Sequence, residues 1–311
     1  MVANIFCLLG PTAAGKTALA LELVKRFPFE IISVDSAMIY REMNIGTAKP
    51  TQAELDISPH HLIDILDPPE AFSAADFCKE ASRLSDQIIN AGKIPLLVGG
   101  TMMYFHALQQ GLSALPEASL DLRKSLLEEA SRVGWEEMHK QLSHIDPQSA
   151  HRIHQNDTQR IQRALEVFHL TGKPLSSLLA EKQQSPYSYT TLILFPTERA
   201  WLHQRIAGRF DKMLEQGFVQ EVESLLIKWS LPPTCPAMRC VGYRQAYNYL
   251  LGKDTLTDLR EKGIAATRQL AKRQLTWLRQ WPDGHVFACD EPESMSKVMA
   301  LVSKILDNRQ F

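Results

Sequence analysis

No apolar stretch of this 311-residue chain approaches the ~18 residues that a membrane-spanning helix needs. Only three residues precede the first apolar run, Asn4 aside, so a secretory leader is not expected. The five cysteines, Cys7, Cys78, Cys235, Cys240 and Cys289, form no C-x-x-C pair and are odd in number, which argues against a disulfide framework or a zinc knuckle. A reducing, cytoplasmic setting is the expectation. Internal repeats and low-complexity tracts are lacking, and so is an excess of charge: 34 Lys/Arg against 35 Asp/Glu give a net charge of -1, which speaks against a generally basic nucleic-acid binder. What the chain does have is a hydrophobic content of 45%, enough for a full α/β core with length left for a smaller second domain.

Residues Gly10-Pro11-Thr12-Ala13-Ala14-Gly15-Lys16-Thr17 complete the phosphate-loop pattern G-x-x-x-x-G-K-[ST], between an apolar run, Ile5 to Leu9, and a helical pattern, Ala18 to Phe27. The glycines let successive N–H groups face one anion, Lys16 adds a point charge, and the Thr17 hydroxyl is placed to ligate Mg2+. A di- or triphosphate ligand follows. Further short apolar runs at Glu30–Val34, Ile94–Val98, Thr191–Phe195 and His285–Ala288, mostly followed by helical periodicity, imply a parallel sheet. Gly10, Asp35, Gly99-Gly100-Thr101 and Thr197 would all lie at carboxyl ends of strands, where such sheets bind ligands. Between Val98 and Thr191 the chain is too long for one crossover and reads as several short helices, with Asp146-Pro147 and Asp157 as starts and Gly172-Lys173-Pro174 as a stop. The fold class expected is α/β, a P-loop NTPase-like parallel sheet core with helices on both faces, plus an inserted all-helical domain. Residues 1–114 and 191–311 form the core and 115–190 the insertion.

Asp35 follows Ile31-Ile32-Ser33-Val34 and would stand at the tip of the second strand, across from the phosphate loop. It fits a water-mediated Mg2+ ligand, a general base, or simply a helix cap. Arg205 and Arg209 share a helix face and suit a pyrophosphate, or a solvated surface. Between Leu259 and Trp281, six Lys/Arg face one acid, Glu261. On that helix Arg268, Lys272 and Arg279 project within about 40° of one another, with Leu270, Trp277, Leu278 and Trp281 opposite as core. Gln159-Arg160-Ile161-Gln162-Arg163 offers amides and guanidinium groups suited to phosphates and base edges. Local basic patches on a neutral protein fit a polyanion bound at one place. His60-His61 with Asp64 and Asp67 invites a metal reading, against which Leu62, Ile63 and Ile65 read as core. Tyr104, Phe105, Tyr243 and Tyr247 read as core or as pocket walls.

The motifs taken together are Gly10 to Thr17, Val34-Asp35-Ser36 through Tyr40-Arg41 to Ile45-Gly46-Thr47-Ala48-Lys49-Pro50, Pro59-His60-His61-Leu62, and Val98-Gly99-Gly100-Thr101. Gln159 to Arg163, Arg239-Cys240-Val241-Gly242-Tyr243-Arg244 and Thr267-Arg268-Gln269-Leu270-Ala271-Lys272-Arg273 follow. In this combination the chain resembles the bacterial tRNA dimethylallyltransferases, or tRNA isopentenyltransferases, over nearly its whole length. The resemblance implies transfer of the dimethylallyl group of dimethylallyl diphosphate to N6 of the adenosine 3′ of the anticodon, in tRNAs reading codons that begin with U. It implies that Lys16, Thr17, Mg2+ and Arg209 neutralise the diphosphate, that Asp35 is the base, and that Thr101 orients the amine or the diphosphate. It also implies tRNA contacts at Asp35, Ser36, Ala37, Met38, Thr101, Arg123, Gln159 to Arg163 and Arg239 to Arg244, an anticodon stem-loop as partner, and a monomer. The family usually has glutamine where Met38 stands, and Met102-Met103 replace commoner small residues. Three rivals remain: a P-loop kinase, a prenyltransferase acting on free adenine nucleotide, and a non-catalytic RNA binder with a relic site.

Overall fold

The computed structural model describes residues 3–111, 113, 115–180 and 184–308. The boundary placed at residue 114 falls outside them, as do residues 181–183 of the expected insertion. By their contacts the residues group into two compact units, Leu108–Ser185 and the remainder of the chain.

The larger unit is built on six parallel strands: β1 (Asn4–Leu9), β2 (Phe29–Val34), β3 (His60–His61), β4 (Ile94–Gly99), β5 (Ser188–Phe195) and β6 (Gly284–Ala288). Their order is β3-β2-β4-β1-β5-β6. Every residue of β1 is buried, which is why it reads as an unbroken apolar run rather than an alternating one. From β1 the chain crosses β4 to reach β2, and from β4 it crosses β1 in the other direction to reach β5. The two crossovers diverge at the carboxyl end of β1, leaving a crevice there, and the phosphate loop follows at that point.

One face of the sheet buries Phe6, Leu8, Ile31, Leu96 and Leu192 against Leu19 and Leu23 of helix Lys16–Arg26 and Val298 and Val302 of helix Ser294–Asp307. Each such side chain contributes about 1.5–3 kcal/mol of transfer free energy. Capping fixes where helices begin. Thr255 accepts from the Asp258 N–H while Asp258 returns a bond to Thr255, starting a helix at Leu256 that runs to Arg279, earlier than the charge pattern alone marks.

In the smaller unit, helices Leu120–Val133, Trp135–Ile145, Pro147–Arg152, Thr158–Thr171 and Leu175–Ala180 enclose Leu126, Met138, Leu142, Ile161 and Leu165. Asp146 caps Ser149 at 3.0 Å and also accepts from the Ser176 N–H at 2.8 Å, and Asp157 caps Arg160. Glu166 is fully buried within this core. Its carboxylate receives the Arg123 fork at 3.0 and 3.1 Å, Arg163 at 2.6 Å and the Ser119 N–H at 2.9 Å. Burial alone would raise its carboxyl, but these donors outweigh burial and hold it below the ordinary 4.5.

Removing this carboxylate leaves two guanidinium groups without their partner. Glu166→Ala is expected to cost about 3 kcal/mol at pH 7, measured by urea unfolding followed by circular dichroism. The stabilisation is complete above the ordinary carboxyl value of 4.5 and fades as pH falls through the depressed folded value, so parent and variant should converge in acid.

Candidate active site

The phosphate loop links β1 to helix Lys16–Arg26. Gly15, at the N-cap, has φ 91°, and Ala13 is also left-handed at φ 65°. A non-glycine residue in that region is strained, and such strain gathers where a loop is shaped for a ligand. Lys16 Nζ donates to the carbonyls of Gly10 at 2.9 Å and Pro11 at 2.8 Å, folding the ammonium across the loop. Burial lowers its pKa to about 8, and Arg209 pushes the same way while Asp35 opposes. Gly10 and Pro11 are themselves buried, so their carbonyls hold the lysine rather than face the cleft.

Across the crevice, β4 ends in Gly99-Gly100. A Cβ on Gly99 would lie 2.0 Å from the Val34 carbonyl oxygen, and one on Gly100 would lie 2.4 Å from Gln274 Nε2. Backbone excludes a side chain at Gly99, and one at Gly100 would displace the Gln274 amide, so β2 and β4 meet backbone to backbone and helix Leu256–Arg279 meets β4 through that amide. Gln274 Oε1 accepts from the Thr12 N–H at 2.9 Å and its Nε2 donates to the Gly100 carbonyl at 2.8 Å, joining the phosphate loop to the end of β4. Gln274 is a functional residue that the sequence reading missed. The signal was present as a polar residue on the stripe Thr267, Ala271, Leu275 and Leu278 that the helix buries.

Asp35 stands at the tip of β2. Its Oδ1 accepts from the N–H groups of Ala37 at 2.8 Å and Met38 at 3.2 Å, a turn-capping role. Its Oδ2 has no hydrogen-bond partner among the described residues, so one oxygen holds the turn while the other is available to a ligand. Thr101 braces the same turn: its Oγ1 accepts from the Ser36 N–H at 3.1 Å and its own N–H donates to the Val34 carbonyl at 3.2 Å.

Helix Arg199–Glu215 brings the arginines. Asp290, just beyond β6, fixes the start of this helix by accepting from the Thr197 N–H and hydroxyl and the Glu198 N–H, at 2.8 to 3.1 Å. Arg205 Nε donates to the Ala13 carbonyl at 2.8 Å and its guanidinium lies over the Trp201 ring. Arg209, about one turn further along the helix, has its basicity lowered by burial, with Asp35 opposing.

A cleft of about 870 Å³ collects Thr12 to Thr17, Asp35 to Met38, Thr101, Arg205, Arg209 and Arg239 to Tyr243. Arg273 and Trp277 also line it, as do the apolar side chains Phe72, Met102, Phe210 and Met213. Trp277, expected as core, is 42% exposed and meets the His106 ring edge-on. Cys240 lies in the cleft with its thiol pushed up to about 12 by burial and by the charge of Asp35. Arg244 lines a different cavity. Cations, a half-free carboxylate and apolar side chains therefore line one cleft.

The residues named for tRNA in the smaller unit divide. Ile161 is fully buried and is not placed to touch RNA. Arg123 and Arg163 are committed to Glu166, and Gln162 donates to the Arg123 carbonyl at 3.0 Å. Gln159 and Arg160 are exposed. The metal reading of the histidine pair loses its ligands to other partners: His61 bonds Glu30, Asp64 bonds Lys49 and Asp67 bonds Arg41. No group of three or more potential metal ligands occurs among the described residues. The Thr17 hydroxyl, which lines the cleft and makes no hydrogen bond among the described residues, fits Mg2+ as that ion is held beside phosphates, through one protein oxygen with the rest from ligand and water.

Fold and site define a P-loop α/β protein whose phosphate loop shares a cleft with Asp35 and apolar side chains. The family model described as IPP transferase matches residues 38–281, and that described as isopentenyl transferase matches residues 3–64. The chain belongs to the IPP transferase family. It is 58% identical over 305 residues to the tRNA dimethylallyltransferase of Legionella pneumophila (strain Corby), covering 98% of this chain and 97% of that one. It is 52% identical over 311 residues to that of Ralstonia pickettii (strain 12J), covering 97% and 96%. Among solved structures, the tRNA isopentenylpyrophosphate transferase of Bacillus halodurans superposes with TM-score 0.73 at 36% identity, covering 100% of this chain and 98% of that one. A eukaryotic dimethylallyltransferase acting on tRNA superposes with TM-score 0.85 at 26% identity, covering 99% and 80%.

Burial of the Lys16 ammonium carries an electrostatic cost. Below pH 8 the fold bears the whole cost of a buried Lys16 ammonium, and between pH 8 and 10.5 the cost fades because the folded form gives up its proton first. Lys16→Met is therefore expected to raise the urea midpoint of the ligand-free protein at pH 7, with a smaller gain at pH 10. A gain that does not shrink would show that the lysine is not strained by burial.

Proposed function

We propose that the protein transfers the dimethylallyl group of dimethylallyl diphosphate to N6 of the adenosine 3′ of the anticodon, in tRNAs that read codons beginning with U. The observation that carries this reading is the free Oδ2 of Asp35 in the same cleft as Lys16 and Arg209. The diphosphate lies on the phosphate loop, where Lys16, the loop N–H groups and Arg209 take up the negative charge that grows as the allylic C–O bond breaks. The Thr17 hydroxyl would hold Mg2+, which when bound would add positive charge beside the leaving diphosphate. The adenine N6 forms the new C–N bond and Asp35 Oδ2 receives its proton. An adenine amine is a weak nucleophile, its lone pair being delocalised into the ring, so removing that proton matters. Thr101 positions the Asp35 turn and has a hydroxyl proton left to donate. Met38, Phe72, Met102 and Met213 offer the hydrocarbon a dry wall that keeps water from an allylic centre of cationic character.

The adenosine must leave its stack to reach such a cleft, which fits an anticodon stem-loop better than paired RNA. Arg239 to Tyr243 in the cleft, with Gln159 and Arg160 on the smaller unit, are the RNA contacts in this reading. The protein acts as a monomer in the cytoplasm, where its tRNA acceptor is found.

Incubation with dimethylallyl diphosphate, Mg2+ and unmodified tRNA, with free AMP and ATP in parallel, tests the reading by mass spectrometry of the nucleosides. N6-dimethylallyladenosine should appear in the tRNA digest alone. Product on AMP alone, or ATP consumption without prenylation, would replace it with the free-nucleotide or kinase reading. Asp35→Ala should lower kcat by about 10²–10⁴ with RNA affinity nearly intact. Arg160→Ala should weaken RNA binding and reduce its salt slope by about one, whereas Arg163→Ala should act chiefly on stability through Glu166.

A further inference from the structure

A second cavity, of about 330 Å³, lies in the larger unit and shares Arg239 with the cleft. It is walled by Thr234, Met238, Arg239, Arg244, Tyr247 and Asn248. Helix Tyr243–Leu250 explains the convergence. Arg244, Tyr247 and Asn248 stand at i, i+3 and i+4 and so share one face, while Tyr243 and Ala246 are buried on the other. That buried face is firmly held. The Tyr243 hydroxyl donates to Glu221 at 2.6 Å, and its ring packs edge-on against Phe218. Glu221 in turn accepts from the N–H groups of Asn44, Ile45 and Gly46, so the outward face is presented by a fixed element. The short helix Ala237–Arg239 supplies Met238 and Arg239.

The polar groups of this cavity are unspent. The side chains of Thr234, Arg239, Arg244, Tyr247 and Asn248 make no hydrogen bond or ion pair with other described residues, although elsewhere on the protein exposed arginines such as Arg41 and Arg260 are paired with carboxylates. Two guanidinium groups, an amide, a hydroxyl and an aromatic ring around a preformed hollow match one ligand chemistry: a nucleotide. The guanidinium forks suit a phosphate or the acceptor edge of a base, the amide suits a base edge, and the ring suits a base face.

We infer that this cavity binds a second nucleotide of the RNA, adjacent in the chain to the adenosine whose base enters the cleft, and that Thr234, Tyr247 and Asn248 read it. The inference rests on the transferase reading above. Continuity through Arg239 favours RNA over a free nucleotide, because one guanidinium then borders both positions and can hold the phosphate between them. Binding the flanking nucleotide here draws it away from its neighbour and helps to keep the target adenosine unstacked.

The test combines the variants Asn248→Asp and Tyr247→Ala with anticodon stem-loop RNAs carrying an abasic site at each nucleotide flanking the target in turn. Asn248→Asp changes one atom on a half-buried side chain and places negative charge in the cavity, so its folding serves as a control for Tyr247→Ala. Either variant should raise the KM for intact RNA about tenfold and leave the KM for dimethylallyl diphosphate where it was. At one flanking position, and one only, the abasic RNA should cost the parent protein about tenfold and the variants nothing more. Additive losses at every position, or an unchanged RNA KM, would overturn the inference. So would coupling of the variants to added free nucleoside monophosphate without coupling to the abasic RNAs. A parent protein that prenylates no RNA would instead remove the transferase reading beneath it.

Discussion

The amide of Gln274 is the joint on which the site depends. A phosphate loop is a chain of backbone donors with little to hold it open when no anion is bound, and the loop, the β4 turn and the long C-terminal helix come from distant parts of the sequence. One side chain ties all three, accepting from Thr12 and donating to Gly100. A buried amide is costly unless both its ends are bonded, and here each end finds a partner, so its burial specifies one arrangement. The absence of a Cβ at Gly100 is part of the same constraint, since any side chain would occupy the place of Gln274 Nε2. Arg205 adds a second tie from helix Arg199–Glu215, reaching the loop through the Ala13 carbonyl.

With the loop held in this way, the charges around it are arranged for something absent from the protein alone. Burial lowers the basicity of both Lys16 and Arg209, Arg209 lowers that of Lys16 further, and Asp35 only partly compensates. Such an arrangement disfavours the empty state and favours an anion, which is the preorganisation that stabilises charge developing on a leaving diphosphate. Asp35 divides its two oxygens between these demands. One secures the turn that carries it, with Thr101 bracing the next residue, and the other is left unsatisfied toward the cleft.

Much of this was legible in the sequence because it is local. The phosphate loop is contiguous, and five strands stand out because a sheet covered on both faces demands unbroken apolar runs. β3 escaped because two residues leave no run to detect, although its histidine pair had been noticed for another reason. Other residues have partners that only the packing reveals. Arg123 and Arg163 have the composition of an RNA-binding face, and only the burial of Glu166 within an apolar helix face shows that they are internal donors. Trp277 looked like core by its periodicity, but the helix faces a cleft there rather than another element. Asp35 could not be assigned among its roles from sequence, since a cap and a base differ in which oxygen is occupied.

A protein of net charge -1 that acts on a polyanion must keep the attraction local. Several surface cations here are spent on neighbouring acids, as with Lys25 on Glu22 and Arg260 on Asp211, so they contribute little field at a distance. Arginines without an ion pair line the two cavities that share Arg239, with Arg244 in one and Arg209 and Arg273 in the other. In the proposed reading, a few phosphates held there would give a modest salt-dependent attraction, with the rest of the binding energy coming from bases taken out of their stack. On that proposal, discrimination among RNAs follows from the same requirement as the chemistry: only a loop whose nucleotides can be drawn apart would place an adenine amine before Asp35.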